Sequence, residues 1–65
     1  MIQVDKHIWI SPEKIVMVYV KDGAFRIVMD DDRSALVVEG EQYIQNICKV
    51  KGISYQTVIG LMANG

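Results

Sequence analysis

The chain of 65 residues holds one cysteine, one histidine, one proline and one tryptophan. A single cysteine, Cys48, excludes an internal disulfide framework and a cysteine-based zinc site. A single histidine, His7, has no second imidazole to join it at a metal or in a proton relay. No excess of either charge is present: the formal net charge is −1, which gives no global attraction to nucleic acid or to an anionic membrane. No apolar run approaches the roughly 20 residues of a membrane span. The first ten residues carry Asp5, Lys6 and His7 and do not read as a signal peptide. With a lone free cysteine, these features point to the cytoplasm. No membrane partner is expected.

What the chain does have is apolar residues, 51% of the total, which excludes disorder. A chain of this length buries only about 60% of the surface its unfolded form exposes, so it benefits from a staple. With no disulfide available, a partner chain is the expected one.

Alternation of apolar and polar residues from Ile2 to Ile10 predicts a first strand, broken at Lys6 by a bend or bulge. Ser11-Pro12-Glu13-Lys14 reads as a turn. Ile15 to Val20 are all apolar and mostly β-branched, and predict the strongest strand. Lys21-Asp22-Gly23-Ala24 is a tight hairpin signal, because Asp-Gly supplies the positive φ that a primed turn needs. Phe25–Met29 and Ala35–Glu39 predict two further strands around the polar stretch 30–34.

After Gly40 the apolar period becomes helical. Tyr43, Ile44, Ile47 and Cys48 predict an amphipathic helix from Glu41 to Lys51, stopped by Gly52. Ser54 is a good N-cap for a second helix, striped by Tyr55, Val58, Ile59 and Met62 and ending at Asn64-Gly65. The expected fold is therefore α+β: a single domain spanning 1–65, with an antiparallel three- to four-stranded β-meander over 1–39. One or two short C-terminal helices follow, forming a helical hairpin over 41–65.

Little in this layout can carry catalysis. Asp30-Asp31-Asp32 lacks the alternating ligand spacing of a calcium or magnesium site and reads as a solvated hairpin tip. Cys48 sits on the apolar helix stripe as a small hydrophobe, with no activating base in view. The five glycines stand apart and form no phosphate-binding loop. No enzyme, metal or cofactor is expected.

Ile15, Met17 and Tyr19 are expected on one face of their strand, and Val16, Val18 and Val20 on the other. Both faces are apolar, and two short helices can cover only one. The second face, with Trp9, Val16, Val18, Val20 and Val28, is the expected interface of a homo-oligomer.

The segment from Ile44 to Val58, and most closely Gly52-Ile53-Ser54-Tyr55-Gln56-Thr57-Val58, resembles a helix-turn-helix of the lactose-repressor family. It is similar also to the turn between the helices of ribbon-helix-helix antitoxins. The first resemblance implies that Ser54, Tyr55, Gln56 and Thr57 reach base edges in the major groove. Lys49 and Lys51 would then contact phosphates. In the ribbon-helix-helix pattern the same helix builds a dimer instead. Gly60 and the lack of any arginine beyond Arg33 depart from both patterns. The first two-thirds are faintly similar to a small flagellar and swarming-motility family, through short strands and a Pro-containing turn before an Ile-rich strand.

Besides a minor structural subunit of a larger assembly, two functions remain open at this level. One is a small, phage-like regulatory protein that binds DNA through its helical hairpin as a homo-oligomer. The other is an accessory protein-interaction module, an inhibitor or a ligand-sequestering protein that binds no nucleic acid.

Overall fold

The computed structural model describes residues 1–64. The chain forms five strands and two helices: β1 (Ile2–Asp5), β2 (Ile8–Ile10), β3 (Ile15–Lys21), β4 (Ala24–Met29), β5 (Ala35–Val38), α1 (Glu41–Lys51) and α2 (Tyr55–Asn64). The fold is α+β, as the hydropathy pattern predicts. β3, β4 and β5 are a consecutive antiparallel meander, and β1 and β2 pair as a separate two-stranded sheet.

The first expected strand is thus a hairpin. The chain turns at Lys6-His7, where the Asp5 carboxylate accepts a hydrogen bond from the His7 backbone N–H at 3.2 Å. An irregularity in the register between Gln3 and Asp5 then lets Val4 turn inward, where it is 1% exposed. The Ser11–Lys14 turn is closed by a short 3-10 segment, Pro12–Lys14, with proline at its start, where the missing N–H goes unneeded.

Turn chemistry fixes the meander. Asp22 and Gly23 adopt φ of 54° and 74°, the pair of positive values that a two-residue primed hairpin requires. Lys21 therefore faces Ala24, and counting outward sets Tyr19 opposite Arg26, Val18 opposite Ile27 and Met17 opposite Val28. Before Met17 the register shifts, and Ile15 pairs with Met29. Val16 is the extra residue of this bulge.

The bulge corrects the expected faces of β3. One added residue reverses the alternation, so Ile15 lies in the core while Val18 and Val20 pack against that same core. Met17 and Tyr19 share the opposite face with Arg26 and Val28. On β5, Leu36 and Val38 follow Ile27 and Phe25 inward, and Val37 sits beside Arg26 on the outer face.

The helices close the inner side. α1 packs on β1, and α2 on β3 and β4. One core results, built from Val4, Ile15, Phe25, Ile27, Val38, Ile44, Ile47, Cys48 and Val58. Burying each of its large side chains contributes about 1.5–3 kcal/mol. Gly52 stops α1 in the left-handed region at φ 68°, and the Ile53 N–H bonds back to the Cys48 carbonyl at 2.9 Å. Ser54 caps α2, its hydroxyl accepting the Thr57 N–H at 3.3 Å. The expected end of this helix at Gly65 lies outside the described residues. No helix among the described residues is long and apolar enough to cross a membrane.

Candidate interaction surface

The helices leave the outer face of the β3–β4–β5 sheet open among the described residues, and it is largely apolar. Across it run Met17 and Tyr19 from β3, Arg26 and Val28 from β4, and Val37 from β5. Met17 is 53% exposed and Val37 40%, and Val16 on the bulge reaches 61%. Extended β-branched and aromatic side chains put these groups side by side because cross-strand neighbours on one face stand about 5 Å apart.

Toward the Asp30 end of the sheet this face deepens into a groove of about 660 Å³. Val16, Met17, Tyr19 and Val28 form its floor and walls, and Asp30 and Arg33 stand at its polar end. A volume of this size suits a few side chains of a partner. The bulge at Val16 matters here. It places Val16 and Met17, neighbours in sequence, together in the groove lining instead of on opposite sides of the sheet.

Arg26 lies on the middle strand, flanked by Tyr19 and Val37. Its Nε is buried with no hydrogen-bond partner. A buried donor left unpaired costs about 1–3 kcal/mol. Among the described residues the single salt bridge joins Lys14 to Asp30 at 3.9 Å, so neither Arg26 nor Arg33 has an ion-pair partner.

No protein-family model, curated protein or solved structure gives a significant match to the chain.

The residues singled out in the sequence as an interface are distributed unevenly. Val16 and Val28 come together in the groove. Val18 and Val20 are half-buried against the core on the other side of the sheet. Trp9, 57% exposed, belongs to the two-stranded sheet and is not among the groove residues. The expected interface does not include Met17, Tyr19, Arg26 or Arg33, which the structure places on the outer face or at its groove. A signal for three of them existed in the sequence: counting outward from the Asp22-Gly23 turn sets Met17, Tyr19 and Arg26 on one face, opposite to that of Phe25 and Ile27.

The residues that the helix-turn-helix resemblance points to lie on the helical pair. Two helices are present and meet at Gly52, but nothing in them identifies a helix-turn-helix or ribbon-helix-helix motif. Gln56 and Thr57 are exposed, whereas Tyr55 is half-buried and packs against the core. Burial and the neighbouring Glu41 carboxylate push the Tyr55 phenol above its ordinary pKa. Ser54 is used as the helix cap. Lys49 is exposed, and the Lys51 ammonium donates to the Pro12 carbonyl at 3.2 Å. α2 contains no lysine or arginine. Its exposed side instead carries Ile59 and Leu61, 40% and 54% exposed.

The remaining chemical candidates are placed as follows. His7 is exposed on the β1–β2 turn. Asp30, Asp31 and Asp32 are exposed, and the Asp32 carboxylate closes a local turn by accepting the Ser34 N–H at 2.9 Å. Among the described residues no group of three or more His, Cys, Asp or Glu is placed to hold a metal ion. Cys48 is 2% exposed in the core, and burial raises its thiol pKa, which keeps it protonated and unreactive.

Proposed function

We propose that this chain is a cytoplasmic, non-enzymatic interaction module of a regulatory or accessory kind, which binds an apolar segment of another protein on the outer face of its three-stranded sheet. The observation that carries this reading is the exposure of Val16 and Met17 at a groove, with Val37 exposed on the same sheet face, where no helix among the described residues packs. Contiguous exposed apolar surface rimmed by polar groups is the mark of a protein-binding site. Apolar side chains of a partner fill the groove, and their burial supplies the affinity.

A second copy of the chain fits this face less well. A two-fold axis through its centre would bring two unpaired Arg26 side chains together away from water, and like charges so placed repel strongly. DNA binding through α2 has support from the exposed Gln56 and Thr57 at its start. It lacks the cations on that helix which supply most of the affinity for phosphate.

A photo-crosslinking residue placed at Val37, and separately at Gln56, tests these readings inside the native cell. The expected result is a protein crosslink from Val37, to a partner that binds again when purified and is lost with Met17→Asp. Crosslinks from Gln56 to nucleic acid, with none from Val37, would replace this reading by the DNA-binding one.

A further inference from the structure

We infer that the segment bound on this face carries a carboxylate that pairs with Arg26, so that the surface selects acidic apolar sequences over merely apolar ones. The inference rests on the proposed docking face and adds the chemistry of what docks there.

Arg26 interrupts a face otherwise built from Met17, Tyr19, Val28 and Val37. A cation at the centre of an apolar face is an odd choice if the face only has to be greasy, because desolvating it on docking is unfavourable unless it gains a partner. Among the described residues no ion pair engages its guanidinium. Its Nε is buried and makes no hydrogen bond, so a partner would meet the terminal Nη groups. The acidic groups nearest in the fold do not serve it. Asp30, at the groove's end, is engaged by Lys14. Glu39 follows Val37 in the outer-face alternation, yet forms no ion pair with Arg26 among the described residues.

Arg33 adds a second unpaired guanidinium at the polar end of the groove. A partner thus meets two guanidiniums without an ion-pair partner on this surface, although the chain as a whole is at −1 and Asp30 also lines the groove. A guanidinium presents a planar fork of donors that matches a carboxylate in two parallel hydrogen bonds. With apolar side chains in the groove and a carboxylate on Arg26, each part of the surface has a complement. Nucleic acid would satisfy the guanidinium but leave the groove without apolar groups to fill it.

Selection of a random-peptide phage library on the immobilised full-length protein tests this. The expected winners combine apolar residues with Asp or Glu. A synthetic winner should bind about 10- to 100-fold more weakly to Arg26→Gln, the loss expected for one charged hydrogen-bonded pair. Changing its acidic residue to the amide should cause the same loss, and the two changes together little more. Arg26→Gln must keep the parent's melting temperature; if it does not, Arg33→Gln and the amide-substituted peptide carry the comparison. Winners without acidic residues that ignore Arg26→Gln, but are lost with Met17→Asp, would overturn the inference and leave the docking face standing. Winners indifferent to both variants, or no winners, would remove the docking face itself. So would a concentration-dependent mass showing that a second copy occupies the face. Arg26-dependent binding of oligonucleotides or anionic vesicles, with no acidic peptide selected, would assign the guanidinium to another class of partner.

Discussion

Phe25 and Ile27 are completely enclosed, while their sequence neighbours Arg26 and Val28 are half-buried on the opposite side of the same strand. The two faces of the β3–β4–β5 sheet therefore differ in purpose although both are largely apolar. The inner face meets two helices and a hairpin and becomes the core. The outer face meets neither helix among the described residues and keeps its groove. Hydrophobicity alone does not separate the two, since Val16, Met17 and Val37 are as greasy as anything inside. What separates them is where the helices can reach, together with the half-buried Arg26 that stands among the apolar groups of the outer face alone.

The difference is largest in stability. Phe25→Ala should cost about 3–5 kcal/mol, because the site is fully packed and a cavity remains. Arg26→Gln, one residue away, removes a half-buried side chain whose Nε is unpaired and should change stability by no more than about 1 kcal/mol in either direction. Chemical denaturation followed by circular dichroism gives both values. A domain with this little core has a small margin, so Phe25→Ala should be largely unfolded at room temperature. Comparable losses for the two would mean that the outer face is also sealed in solution.

The next effect concerns the inner face alone. Cys48→Ser places a hydroxyl in an apolar site and should cost about 1–3 kcal/mol. The raised thiol pKa adds a pH signature with a definite sign. The unfolded thiol ionises near about pH 8.5 while the folded one holds its proton, so the unfolded state binds fewer protons above that pH. The contribution is complete below pH about 8.5 and declines as pH rises beyond it. In Cys48→Ser that part of the alkaline decline should vanish. A thiol reagent should modify Cys48 at a rate set by unfolding, and fast labelling of the folded protein would place the residue outside the core.

Much of this architecture is legible in the residues. Asp22-Gly23 fixes a hairpin, Gly52 and Ser54 punctuate the helices, and the change of apolar period after Gly40 separates meander from helical pair. Two irregularities were less accessible. The break at Lys6 is a complete reversal of the chain, and no glycine or Asn-Gly pair announces it. The bulge at Val16 lies within an unbroken apolar run, where no polar residue marks which side faces water, so the alternation could be counted in either phase. The phase error carried Val18 and Val20 onto the wrong face and left Met17, Tyr19 and Arg26 out of the candidate surface. Counting back from the turn, where the register is set by chemistry, avoids that error; counting forward from Ile15 does not.

α2 offers a smaller test of the same contrast. Gly60 lies in its interior with nothing within 4 Å of an added Cβ, and it is exposed. Gly60→Ala should stabilise the protein by about 0.5–1 kcal/mol, by restricting the unfolded chain and improving helix propensity. Neither face of the sheet should respond, and the parent and variant should bind a selected peptide equally. Altered peptide binding would mean that α2 contributes to the surface.

The smallest expected effect is the most informative about the outer face. Val37→Thr and Met17→Gln replace exposed apolar groups by polar ones of similar shape, and each should shift stability by less than about 0.5 kcal/mol if the face is open to water. The measurement is to be repeated across a range of protein concentrations. In a chain whose outer face is free, the melting temperature does not change with concentration, in the parent or in either variant. If the face were covered by a second copy, the parent's melting temperature would climb with concentration by mass action. The two substitutions would then lower it most at high concentration, where the interface they weaken is populated. A small constant effect and a small concentration-dependent one thus separate an unoccupied docking face from a self-association surface, using variants that leave the core untouched.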